Sequence, residues 1–210
     1  MKRYKLAIFD FDGTLADSFP WFIGIINDVA DKFGFRRVEK DEIETLRGAD
    51  TRRIVKELKI PAWKMPLVAR YMQKKMAQDI AAISLFPGID QALKELASKG
   101  IRLAIVSSNS AENVKIVLGP ETAQMIEYYV CGADLFGKSR KFSKVLRQSG
   151  ISAAETICIG DEIRDLLAAR EAKIDCGAVC WGYARADALL PHAPEMVFRE
   201  VGEISKKLSG

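Results

Sequence analysis

Four apolar residues, Leu6-Ala7-Ile8-Phe9, run directly into Asp10-Phe11-Asp12-Gly13. A short apolar run closed by polar residues and a glycine reads as a buried strand of a parallel α/β sheet. Ligands bind outside the carboxyl ends of such strands, and residues two apart on a strand project to the same side. Asp10 and Asp12 are therefore expected to face one pocket, with Gly13 permitting a sharp exit. Two carboxylates so close repel each other unless a divalent cation or a shared proton relieves them.

The rest of the chain says what kind of sheet this strand joins. Phe19, Phe22, Ile23, Ile26, Val29 and Phe33 recur at spacings of three and four, with Asp17 or Ser18 as N-cap and Gly34 as stop. Asp41 is expected to cap a segment carrying Ile43 and Leu46, and Thr51 another carrying Ile54, Val55 and Leu58. A further helix is predicted from Pro66 to about Ile80. After the turn Phe86-Pro87-Gly88 the pattern changes. A helix over Ile89–Ala97 precedes a strand over Ile101–Val106, and strands are predicted at Tyr128–Val130, Thr156–Ile159, Gly177–Cys180 and Met196–Phe198. Strands alternating with helices imply a parallel sheet with right-handed crossovers. The expected fold class is thus α/β: a Rossmann-like, doubly wound parallel sheet formed by residues 1–15 and 86–210. Residues 16–85 are expected to form a helical cap domain inserted after the first strand.

Composition narrows the function classes. With 49% hydrophobic and 29% charged residues, the chain has the make-up of an ordinary globular protein. It lacks the roughly 18 consecutive apolar residues of a membrane span. Met1-Lys2-Arg3-Tyr4-Lys5 leads into a strand and not into the apolar region of a secretory signal, so a cytoplasmic location without membrane partners is expected. A net charge of +4 is too weak to imply nucleic-acid binding, whereas the mild basic surplus between Ala16 and Phe86 suits a small anionic substrate. A monomer or homodimer is expected. Cys131, Cys158, Cys176 and Cys180 read as reduced thiols acting as small core residues. His192 is the single histidine, so neither a His-rich zinc site nor a Ser-His-Asp triad has support.

Other polar groups follow apolar strands as Asp10 does. The strand ending at Val106 meets Ser107-Ser108-Asn109, and the strand ending at Ile159 meets Gly160-Asp161-Glu162-Ile163-Arg164-Asp165. Between them, Lys138 sits in Leu135-Phe136-Gly137-Lys138-Ser139-Arg140-Lys141, ahead of a helix carrying Phe142, Val145 and Leu146. In a parallel sheet these groups gather at one edge.

Together these motifs resemble the haloacid dehalogenase-like hydrolases, in the capped phosphatase branch typified by phosphoglycolate phosphatases. The resemblance rests on DFDGTLADS at 10–18, LFPGI at 85–89, VSSNS at 106–110, the lysine, GDEIRD at 160–165 and VCWGYA at 179–184. It implies that Asp10 is a nucleophile and that Asp12 protonates the leaving oxygen, then deprotonates the attacking water. It further implies that Ser107, with the backbone at Ser108 and Asn109, binds phosphoryl oxygens while Lys138 balances the developing charge. Ser108 is a neighbouring alternative for the serine, and Lys141 for the lysine. Mg²⁺ is implied as cofactor, held by Asp10, the carbonyl of Asp12, Asp161 and Asp165; Glu162 is a further acidic neighbour without an assigned role.

In the cap, Arg47, Arg52 and Arg53 surround Gly48, where relatives place a substrate-touching loop. Arg47 and Arg52 would suit a second anionic group on a small phosphorylated metabolite, although a solvated helix face accounts for them equally well. Trp181 and Tyr183 read as packing residues. The implied activity is Mg²⁺-dependent phosphomonoester hydrolysis through an aspartyl phosphate. A sugar phosphomutase shares these motifs. A dehalogenase would need neither Asp12 nor the acidic pair at 161 and 165, and a phospho-receiver domain would be about half as long without an inserted cap.

Overall fold

A computed structural model describes residues 4–133 and 137–208. Residues 1–3, which open the basic N-terminal stretch, and the Leu135-Phe136 step before Lys138 lie outside them. Six strands form one parallel sheet: β1 (Leu6–Phe9), β2 (Arg102–Val106), β3 (Ile126–Val130), β4 (Thr156–Gly160), β5 (Asp175–Val179) and β6 (Met196–Phe198). Their order is β3-β2-β1-β4-β5-β6, the doubly wound Rossmann order, whose direction of winding reverses beside β1. In register, Phe9 pairs with Ile105 on one side and Ile159 on the other, so the ends of three strands stand level around Asp10.

The strands are apolar on both faces because helices cover both. On one face Ala7, Phe9, Leu103, Ile105 and Ile159 pack against α5 (Ile89–Ser98), α6 (Ala111–Met125) and α10 (Gly202–Leu208). On the other, Leu6, Ile8, Val106 and Cys158 pack against α7 (Lys138–Ser149) and α8 (Ile163–Glu171). Each fully buried Leu, Ile or Phe here contributes about 1.5–3 kcal/mol. The four cysteines are free thiols, with Cys158 and Cys176 buried as sheet residues. Among the described residues no helix is long and apolar enough to cross a membrane.

Between β1 and β2 lie α1 (Phe19–Phe33), α2 (Ile43–Arg47), α3 (Thr51–Glu57) and α4 (Met65–Gln78). They enclose an apolar cluster of their own around Ile26, Val29, Ala30, Leu46 and Leu58. The two chain segments leading into and out of this block run side by side: Asp17 N donates to Ser84 O at 2.8 Å and Phe86 N to Leu15 O at 2.9 Å.

Local details correct several expectations. Thr51 does not cap α3; Asp50 does, its carboxylate accepting from Arg53 N at 2.9 Å. Asp41 lies inside a short 3-10 turn whose cap is Glu39. Ser18 takes the N-cap position of α1 without a capping bond, because its hydroxyl meets Tyr183 Oη at 3.1 Å instead. Strands β3 and β5 each begin two residues earlier than expected, at Ile126 and Asp175.

Candidate active site

The reversal of winding at β1 gathers the expected residues at one sheet edge. Asp10 is 2% exposed; its backbone N–H continues the ladder to Ile159 O, and its Oδ1 accepts from Phe11 N at 2.8 Å. Oδ2 has no aligned hydrogen bond, but lies 2.7 Å from Lys138 Nζ and 3.9 Å from Arg164 Nη2. Lys138 also reaches Asp165 Oδ1 at 2.5 Å, so one buried ammonium stands between two buried carboxylates. Lys141 is placed differently, donating to the carbonyls of Ser107 and Gly132 at 2.9 and 2.8 Å.

Asp161 follows β4 and is fully buried. Thr14 Oγ1 donates to its Oδ1 at 2.6 Å and Tyr183 N to its Oδ2 at 2.7 Å. The approach is so close that a Cβ on Gly13 would sit 2.2 Å from Asp161 Oδ2, and Gly13 has a φ of +78° besides. Only glycine meets both conditions. Asp165 accepts from Glu162 N at 3.0 Å as part of a reciprocal cap at the start of α8.

One carboxylate oxygen from each of Asp10, Asp161 and Asp165 lies within 4.8 Å of the others. The charge balance is lopsided, with Asp10, Asp12, Asp161, Glu162 and Asp165 facing Lys138 and Arg164. Burial, then the charges of Glu162 and Asp10, push Asp161 well above the usual carboxylate range. Burial also raises Asp165 to about 6, against the pull of Lys138. For Lys138, burial disfavours the ammonium, but Asp10 and Asp165 outweigh it and hold the group charged. Crowded oxygen ligands with surplus negative charge fit a hard divalent cation.

Asp12 lies outside this cluster. It is partly exposed, and Asn109 Nδ2 donates to its Oδ2 at 3.1 Å. Burial and the Asp10 charge raise it to about 6. Ser107 is buried and its Oγ accepts from Asn109 N at 2.9 Å, so that backbone N–H is engaged within the loop and not open as expected. Ser108 is half-buried, and its carbonyl accepts from Gln73 Nε2 of α4.

A cavity of about 280 Å³ opens between α1–α4 and this sheet edge. Asp12, Ser108, Asn109, Glu162 and Arg164 lie on its sheet side, whereas Phe22, Ile26, Leu46, Ile54, Val68 and Met72 are among its walls. The two arginines nominated for a second anion differ in placement. Arg47 borders the cavity, but its Nε donates to Tyr183 O at 2.9 Å, its Nη2 to Gly182 O at 3.0 Å and its Nη1 to Glu44 at 2.9 Å. Arg52 is exposed and outside the lining. Among basic residues between 16 and 86, Arg47 alone reaches the cavity.

Sequence reasoning assigned no role to Thr14, Arg164 or the Asn109 side chain. Their signal is membership of the motifs DFDGTLADS, GDEIRD and VSSNS, but their contacts depend on how loops from different strands meet. Tyr183 packs as expected against Phe19 and Phe22, at ring distances of 5.0 and 5.4 Å, and also borders the cavity.

Sheet order, acidic cluster and charged strand-end residues define an α/β enzyme with a buried site able to hold a metal. The chain belongs to the haloacid dehalogenase-like hydrolases, whose family model matches residues 7–179. It is 30% identical over 201 residues to the phosphoglycolate phosphatase of Synechococcus elongatus, covering 95% of each chain. It is also 30% identical over 192 residues to that of Agrobacterium fabrum, covering 85% of this chain and 81% of the relative. A haloacid dehalogenase-like hydrolase from Streptococcus pneumoniae shares the fold at a TM-score of 0.78 and 21% identity, over 97% of this chain and 98% of that one. Within the family the chain is a phosphatase resembling the phosphoglycolate phosphatases.

Proposed function

We propose that this phosphatase hydrolyses small-molecule phosphomonoesters through a phosphoryl-aspartate on Asp10, with Mg²⁺ as its metal. The observation that carries the reading is the convergence of Asp10, Asp161 and Asp165 oxygens within 4.8 Å beside the Lys138 ammonium. Those three carboxylates, with the backbone carbonyl of Asp12, would hold the cation. When bound, it supplies positive charge for the phosphoryl oxygens and for the crowded carboxylates.

An Asp10 carboxylate oxygen attacks phosphorus, forming the acyl phosphate while the ester P–O bond breaks. Asp12 gives its proton to the departing alkoxide oxygen, which leaves as an alcohol. Asp12 then takes a proton from water, whose oxygen attacks the same phosphorus; the bond to Asp10 breaks and orthophosphate leaves. The sum is ester plus water to alcohol plus phosphate. A value near 6 lets Asp12 serve in both directions close to neutral pH. The Ser107 hydroxyl and the backbone at Ser108 receive phosphoryl oxygens, and Lys138 offsets charge as it builds.

Residues 16–85 act as a cap over a core of residues 1–15 and 86–210. The separate apolar cluster and the paired connecting segments at Ala16 and Leu85 support this division. Phosphoglycolate, from the names of the two relatives, belongs first in a panel of phosphorylated metabolites. The test is phosphate release from p-nitrophenyl phosphate by the purified protein. Turnover with Mg²⁺ and none with EDTA is expected; equal turnover in both defeats the metal-dependent reading.

A further inference from the structure

The cavity above Asp12 says something about the alcohol half of the ester. Resting on the phosphatase reading above, we infer that the preferred substrate carries an apolar leaving group, an aryl or medium-length alkyl alcohol, and not a second anion. Three observations carry this. The walls are apolar: Phe22, Ile26, Leu46, Ile54, Val68 and Met72 line the same cavity as Asp12, the proposed acid for the leaving oxygen. At about 280 Å³ the space exceeds the ~150 Å³ that accommodates benzene.

The second observation concerns the basic residues at the cavity. Among the described residues, the basic side chains that line it are Arg47 and Arg164. Arg47 is engaged with the Gly182 and Tyr183 carbonyls and with Glu44. Arg164 is paired with Glu162 at 2.6 Å and stands 3.9 Å from Asp10, on the side of the proposed nucleophile. Its buried Nε lacks a partner, a donor available to a phosphoryl oxygen.

The third is that the carboxyl groups lining the cavity, Asp12, Asp50 and Glu162, outnumber its two guanidiniums. A carboxylate on the substrate would lose its hydration against apolar walls and find like charges nearby. Among the described lining residues, the two cations that could offset these losses are already engaged, Arg47 with two carbonyls and Glu44 and Arg164 with Glu162.

The experiment compares kcat/KM for ethyl, butyl and hexyl phosphate and for 2-phosphoglycolate, with p-nitrophenyl phosphate as the reference for activity. The alkyl esters present equally basic leaving oxygens, so differences between them report binding of the chain. Each buried methylene should raise kcat/KM about fourfold, giving on the order of 100-fold between ethyl and hexyl phosphate. Hexyl phosphate should also exceed 2-phosphoglycolate. Ile54→Trp, which places a ring in the cavity, should cut the hexyl-to-ethyl ratio at least about tenfold; the wild-type series decides the matter if that variant does not fold. A flat alkyl series, or 2-phosphoglycolate matching hexyl phosphate, while p-nitrophenyl phosphate is turned over, overturns this inference and leaves the phosphatase reading standing. No Mg²⁺-dependent release from any ester overturns both.

Discussion

Lys138 Nζ lies 2.7 Å from Oδ2 of Asp10, and both side chains are almost wholly withdrawn from water. The lysine also touches Asp165, so one ammonium holds the proposed nucleophile beside a proposed metal ligand. Removing one partner of a buried ion pair leaves the other uncompensated, at about 3–5 kcal/mol. Lys138→Met should therefore lower the melting temperature in EDTA, with part of the loss recovered on adding Mg²⁺. Turnover should fall on the order of 100-fold or more, as when one preorganised donor is deleted. Calorimetry with and without Mg²⁺ checks the first expectation, and steady-state kinetics the second.

Metal binding should depend on pH in one direction. Without metal, burial raises Asp12 and Asp165 to about 6 and pushes Asp161 well above the ordinary carboxylate range. Raised folded-state values mean that these protons stabilise the metal-free fold at low pH, an effect lost as pH rises through about 6. A cation held by Asp161 and Asp165 needs those two carboxyls deprotonated. The rise in melting temperature caused by Mg²⁺ should accordingly grow between about pH 5 and about pH 7. A Mg²⁺-induced rise that is constant over that interval would contradict the proposed ligand set.

Arg47 ties the helical block to the loop after β5, through the carbonyls of Gly182 and Tyr183 and by lying over the Phe19 ring at 4.9 Å. Since the side chain keeps some exposure, Arg47→Ala should cost about 1–2 kcal/mol, below the full value of two charge-assisted bonds. Melting temperature should fall and KM should shift alike for all esters. Were Arg47 a reader of a second anion, KM for 2-phosphoglycolate alone would rise, with stability unchanged.

The legible part of this molecule was the part governed by uninterrupted burial. β1, β2 and β4 are central strands covered on both faces, so their apolar runs stand out and the acidic residues that follow are conspicuous. β3 is an edge strand, and its exposed Glu127 masks the start at Ile126. β5 opens with Asp175, which reads as loop until Tyr4 Oη is found donating to it at 2.6 Å. Asp50 and Thr51 are both good caps in isolation, and only the backbone geometry selects Asp50. Arg47 and Arg52 show the harder limit. Charge and position along the chain suggested anion binding, yet what a guanidinium does depends on which carbonyls fold up beside it. The apolar cavity was hidden for the same reason, since its wall residues look like ordinary helix-packing residues.

The central claim is that Asp10 carries the phosphoryl group. The direct measurement is Mg²⁺-dependent phosphate release by Asp10→Asn beside wild type, with the folded state of both checked by circular dichroism. The amide is nearly the same size, so the fold should persist, while turnover should drop by at least about 1,000-fold, as for removal of a nucleophile. A folded Asp10→Asn protein that keeps most of its metal-dependent turnover would contradict the covalent mechanism.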